Sequence, residues 1–300
     1  MATVNYATVY EQALAQKFEA ELKFSALYTP SVTATSMYKF TGGKTFQIPV
    51  LTVGGFIDAD RDAAAAFARN VDNAWESYTM DHDREFSTLV DPMDIDETNQ
   101  VLSIANITKV FNEEQKIPEM DAYMASKLHS ELDTLGTVDI TTPADAAAWL
   151  ALFDTFMASM DDNSVPEEGR LLYLRAPIYT FFKNALGVVR QIGNTNSTDI
   201  LSRNLQRLDD VEIIRIPTAR MKTSYDFTTG FTPAVGAQNI NMILVHPRSI
   251  IAPVKMDQSL FEAPSAHSKG KSLYYERMYL TAELLEQRVP GLLINAIEVV

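Results

Sequence analysis

The chain has 300 residues, 46% of them hydrophobic, no cysteine, and a formal net charge of −14. That length fits one large domain or two ordinary ones, with enough apolar residues for a sizeable core. The missing cysteines exclude disulfides and thiolate metal sites, and the acidic balance argues against a general nucleic-acid binder, which needs basic surface to displace counterions from phosphates.

No apolar run reaches the length of about eighteen residues that a membrane-spanning helix needs. Met1-Ala2-Thr3-Val4-Asn5 has neither the basic nor the apolar region of a secretory signal. A cytosolic origin and no membrane partner are expected.

Residues 5–28 set Tyr6, Tyr10, Leu14, Phe18 and Leu22 four residues apart, with charged residues between them. This spacing predicts an amphipathic helix, stopped at Tyr28-Thr29-Pro30. It either lies on its own core or serves as a partner-binding arm. Met37 to Thr41 and Lys44 to Ile48 flank Gly42-Gly43, a hairpin signal because primed turns need positive φ. Pro49 limits pairing and points to an edge. An alanine run near residue 65 suits a short helix, and Trp75 to Phe86 reads as one strand. Residues 58–97 are the most acidic part of the chain and read as solvated surface.

From Asp94 to Leu135 apolar residues recur at helical spacing, opened by Asp94 with Glu97 three residues on and closed by Gly136. Pro118 interrupts the run, so the reading is one long kinked helix or two helices in line. Downstream, Val138 to Thr141 reads as a short strand, and Thr142-Pro143 opens a helix over 144–159 with Trp149, Leu152, Phe153 and Phe156 on its buried side. Leu171 to Leu174 is a strand, 177–186 a helix, 187–210 loop plus short helix, and Val211 to Pro217 a strand. Met221 to Gln238 is a loop, and Ile240 to Val245 is a strand buried on both faces. His246-Pro247-Arg248-Ser249 starts a short helix, and late strands follow over 252–261, 271–284 and 292–299. Helices and strands alternate here, so this half reads as a mixed α/β domain.

Chemical motifs fail on spacing. Gly43-Lys44-Thr45 and Gly270-Lys271-Ser272 lack the first glycine of a P-loop. Asp58, Asp60 and Asp62 lack the glycine and glutamate of an EF-hand. His82, His129, His246 and His267 have no zinc-pair spacing, and no Gly-x-Ser-x-Gly is present. No catalytic, cofactor-binding or metal-ligating residue is assigned.

The order of the pieces resembles the major capsid proteins of tailed bacteriophages, the Hong Kong 97 capsid fold. Local stretches resemble it too: Trp75 to Phe86 followed by Asp91-Pro92-Met93-Asp94, Ile117-Pro118-Glu119-Met120-Asp121-Ala122-Tyr123, Pro166 to Leu174, and Val245-His246-Pro247 through Lys255 with Phe261-Glu262-Ala263-Pro264. The resemblance implies an α+β Hong Kong 97-like fold. It maps an N-terminal arm to 1–30, an extended β-hairpin loop to 31–93 with Gly42-Gly43 near a hairpin end, and a long spine helix of the peripheral domain to 94–136. An axial domain maps to 137–250, and strands returning to the peripheral domain map to 251–300.

It further implies a virion shell protein, not an enzyme, assembled in the host cytoplasm as hexamers and pentamers into an icosahedral shell around double-stranded DNA. That DNA would be held without sequence-specific contact, and a portal protein would occupy one vertex. Because Met1 stands almost at the arm, a separate scaffolding protein is expected. Tyr6, Tyr10, Leu14, Phe18, Phe40, Lys44 and Phe46 are the expected intersubunit contacts. Some members crosslink a loop lysine to an asparagine, but neither Lys39 nor Lys44 can be matched to such a partner, and solvated or ion-pairing lysines are expected. The alternatives are an encapsulin-like nanocompartment shell, a tail-tube or connector protein, and a cytosolic α/β enzyme.

Overall fold

A computed structural model of the chain describes residues 21–29, 39–40, 44–56, 71–97, 104–185 and 205–297. The first half contains β1 (Tyr28–Thr29), β2 (Lys39–Phe40), β3 (Thr45–Val53), β4 (Val71–Thr79), β5 (His82–Val90), α1 (Pro92–Glu97), α2 (Ile104–Phe111) and α3 (Ile117–Leu135). Then come α4 (Ala146–Asp162), β6 (Leu171–Arg175), α5 (Ala176–Asn184), β7 (Arg207–Leu208), β8 (Val211–Ile216), β9 (Tyr225–Asp226) and β10 (Thr232–Pro233). The chain continues through β11 (Asn239–Val245), β12 (Ile250–Glu262), β13 (Ser272–Leu280), β14 (Glu283–Leu284) and β15 (Leu292–Ile297).

Among the described residues, the strands form three larger sheets and the short pair β9–β10. One runs β1-β12-β13-β5, with β14 on β12; a second runs β15-β11-β6-β8-β7; the third is the ribbon β2-β3-β4. Helix α3 is buried between the first two. Its Met124, Leu128 and Leu132 share a core with Tyr173, Ile243 and Val245 of one sheet and Ala252, Met278 and Leu280 of the other. The opposite face of the second sheet packs on α4 and α5, where Trp149, Phe153, Phe156 and Phe182 meet Leu172, Leu174, Met242 and Leu244. Strand side chains alternate between faces, so Leu171 and Tyr173 serve one core while Leu172 and Leu174 serve the other. Every residue of β11 is buried, Asn239 and Asn241 included, as expected for a strand covered on both faces.

Several expectations are corrected. From Ile104 to Leu135 the stretch is two helices in line, one of the two forms expected, but the irregularity is not at Pro118 itself. Pro118 lies in the first turn of α3, and the irregularity is a π turn at Asn112–Lys116 just before it. Pro118 has no N–H to give Glu114, and Ile117 N–H reaches back five residues to Asn112 O, so the wider turn absorbs the proline. Gly136 ends α3, but in an extended conformation (φ −146°) rather than a left-handed one. Its role is close approach: a β-carbon there would lie 3.0 Å from Leu132 and 3.1 Å from Val289. Asp145, not Thr142-Pro143, caps α4 by accepting from Ala148 N at 2.8 Å. Val138 to Thr141 forms no strand, only a single bridge from Asp139 to Asn295. Within 221–238 the loop holds the short hairpin β9–β10.

Trp75 to Phe86 is two strands. The chain leaves the ribbon at Met80-Asp81, and β5 then pairs along its length with β13. The ribbon therefore ends at Thr79, not near residue 93. Its far end lies toward Val53 and Val71, while β2 pairs with β3 near the base; Gly42-Gly43, expected near a hairpin end, lie outside the described residues. The C-terminal stretch divides: β12, β13 and β14 lie in the first sheet, but β15 pairs with β11 in the second. Strand β15 is apolar on both faces, and the edge of β11 buries both, Ile294 toward α3 and Leu293 toward α4. The amphipathic helix expected over 5–28 lies mostly outside the described residues, and residues 23–27 form turns leading into β1. The alanine run lies outside them as well.

Gly291 packs so tightly that an added β-carbon would sit 1.9 Å from Ser249 Oγ and 2.9 Å from its Cβ. Gly291→Ala must displace the turn after β11, and a loss of about 1–3 kcal/mol is expected. The check is the urea midpoint at unchanged slope.

Candidate functional site

Helix α3 places a row of polar side chains at the points where other segments attach. Asp121, with no exposed surface, accepts from Lys23 N at 3.0 Å and Phe24 N at 3.1 Å, and pairs with Arg220 at 2.9 Å. Phe24 is buried beside the Tyr173 ring, 4.4 Å between centroids, and Tyr28 OH donates to Met120 O. Residues 23–28 are thus part of their own chain's core.

Two residues earlier, Glu119 pairs with Arg84 of β5 at 2.6 Å. His82 is buried, stacked on Tyr123 at 4.1 Å, with Nε2 3.3 Å from Glu119 Oε1 but outside hydrogen-bond geometry. Lys116 pairs with Glu276 at 2.6 Å and Asp257 at 2.7 Å. A cavity of about 240 Å³ beside the π turn is lined by Arg84, Phe86, Phe111, Lys116, Glu119 and Glu276, whose charges pair with one another. Among the described residues no three of His, Asp and Glu converge as a metal site.

These contacts hold α3 against β5, β12 and β13 of the first sheet, from which the ribbon extends. Phe46, Ile48 and Met80 form a small cluster with Ile251 and Tyr279. Beyond Ile48 the burial stops. Strands β3 and β4 pair from Thr45↔Thr79 to Val53↔Val71, so Pro49, Leu51, Val53, Val71 and Trp75 share one face. That face is exposed: Leu51 is 66%, Val53 62% and Trp75 53% accessible, and Phe56 beyond them is fully exposed. The opposite face carries Asp72 and Thr52 toward the far end. Leu260 and Phe261 near the end of β12 are also exposed. An apolar strip on a projecting ribbon is neither stable alone nor ordinary for a protein surface, which makes it the candidate docking face.

Of the expected contacts, Tyr6, Tyr10, Leu14 and Phe18 lie outside the described residues. Phe40 pairs through its backbone with Phe46. Lys44 is exposed and its charge lies near Asp83. Phe46 is corrected: it is fully buried in its own chain and stacks on Tyr78 at 5.5 Å, so it is not presented to a neighbour. The exposed strip was missed. Its signal was the even-handed hydrophobicity of Phe46 to Val53, which on a period of two makes both faces apolar where a single chain covers only one.

No family model matches the chain, and no curated protein matches its sequence. Solved structures do. The asymmetric unit of the bacteriophage PhiM1 mature capsid superposes with a TM-score of 0.69 at 10% identity, covering 98% of this chain and 92% of that one. The capsid structure of the cyanophage P-SCSP1u gives 0.64 at 14% identity, covering 97% and 92%. A structure of Mycobacterium phage Che8 gives 0.62 at 14% identity, with 98% of each chain covered. The chain has the α+β fold of tailed-phage major capsid proteins, as the resemblance implied.

Proposed function

We propose that this chain is the major capsid protein of a tailed phage or prophage. Copies assemble as hexamers and pentamers into an icosahedral shell that encloses double-stranded DNA, a structural role and not an enzymatic one. The observation that carries this is the ribbon: an apolar strip extended from the core on a fold shared with phage capsid structures. Docking that strip on a neighbouring copy supplies burial that a single chain lacks. A net charge of −14 keeps free copies apart until assembly is directed, which is the task assigned here to a separate scaffolding protein. It also suits DNA held without sequence-specific contact. A portal protein would fill one vertex, and assembly in the host cytoplasm would precede the virion.

Electron microscopy of the purified protein, expressed with and without its candidate scaffold, tests this. Closed shells of uniform size with hexameric and pentameric clusters are expected. A small oligomer that never closes would overturn the reading.

A further inference from the structure

The ribbon and the first sheet join at Met80-Asp81, and a small polar cluster holds Asp81 in place. Tyr123 OH donates to Asp81 Oδ1, Thr281 Oγ1 lies 3.3 Å from the same oxygen, and Lys127 Nζ lies 3.1 Å from Oδ2. Lys127 is also 3.1 Å from Glu131 and 3.5 Å from Glu283, while Thr281 donates to Glu283 at 2.9 Å. One cation therefore serves three carboxylates from three elements. Those facing Glu283 are Lys127 and Glu131 from α3 and Asp81 from the ribbon base, with the hydroxyls of Tyr123 and Thr281; β12 places Ile251 opposite it. Glu283 and Glu131 are 7% and 19% exposed, but Asp81 is 48% exposed. Asp81 is the carboxylate that can swing into water without unpacking a core.

We propose that this cluster is a protonation-dependent latch on the ribbon. With Glu283 neutral, Lys127 holds Asp81 and fixes the ribbon base on the spine. With Glu283 ionised, Lys127 is divided among three anions and Asp81 detaches toward solvent. The latch lies within one copy, goes beyond the shell reading and does not depend on it.

The electrostatics agree. Burial raises Glu283 to about 7, with Lys127 opposing and Glu131 and Asp81 adding to the rise. At Asp81 burial also pushes upward, but the hydrogen bonds from Tyr123 and Lys127 outweigh it and keep the carboxyl below its usual range. A carboxyl raised by the closed arrangement favours that arrangement at low pH, and the advantage is lost as pH rises through about 7. Opening that also hydrates Glu283 and returns it to an ordinary value raises the opening equilibrium about tenfold between pH 6 and pH 8, the upper limit; loss of the Asp81 charge alone raises it less.

The test is hydrogen exchange at the Met80 amide, which donates to Lys44 O at 2.7 Å. Rates at the two pH values are corrected for intrinsic exchange, and gel filtration at each pH separates assembly from change within the chain. Wild type is expected to lose up to about tenfold protection, and Glu283→Gln, neutral throughout, to show no step. Asp81→Asn, which removes the anion that moves, is expected to flatten the profile as well. No step in wild type, or a wild-type step in either variant, would overturn the latch.

Discussion

Asp121→Ala lowers stability by about 3–5 kcal/mol, a large part of the total that holds a typical domain together. Asp121 has no exposed surface and satisfies three donors at once: the amides of Lys23 and Phe24 and the guanidinium of Arg220. Burial raises its pKa against the pull of those partners, so the charge itself is costly there. Its value lies in what it satisfies. Alanine leaves two amides without their acceptor and Arg220, only 14% exposed, without its counter-charge. Phe24 then loses its fixed place beside Tyr173. Urea unfolding should show the lower midpoint, and limited trypsin digestion should show faster cleavage after Lys23. Asp121→Asn keeps one acceptor oxygen and should lose less. An alanine variant with wild-type stability would mean that the 23–28 segment is held by its apolar residues alone.

Leu51→Asp combined with Trp75→Asp should leave the chain folded and abolish shells. Both side chains lie on the exposed ribbon face, at 66% and 53% accessibility, so the fold loses little and a stability change within about 0.5 kcal/mol is expected. In a docked ribbon each would be a buried anchor, worth about 2 kcal/mol or more. Losing both weakens each copy's docking roughly a thousandfold, and a closed shell multiplies that loss over every copy. Circular dichroism with thermal melting checks the fold, and sedimentation checks assembly. Shells from this variant at wild-type yield would remove the ribbon face from the interface.

The large features were legible because each rests on a local period. Helical spacing marked the spine through Met124, Leu128 and Leu132; a mainly apolar run marked β11; Trp149, Phe153 and Phe156 marked the buried side of α4. The candidate site was less legible. Phe46 and Leu51 read alike in the sequence, and one is buried while the other is two-thirds exposed. They stand five residues apart on β3 and so on opposite faces; which face is covered depends on where Ile251 and Tyr279 lie beneath the ribbon, which no local pattern encodes.

The sequence by itself determined an acidic, cysteine-free chain of mixed helices and strands with a long central helical stretch, because composition and periodicity are properties of neighbouring residues. Tertiary structure alone decided the rest. Trp75 to Phe86 divides between two sheets at Met80-Asp81, β15 pairs beside β11 rather than with the strands before it, and Asp81, Glu131 and Glu283 meet at one lysine. Strand partners and charge clusters join residues as many as 200 positions apart. Their geometry follows from packing both faces of each sheet at once, a constraint that exists only after the chain has folded.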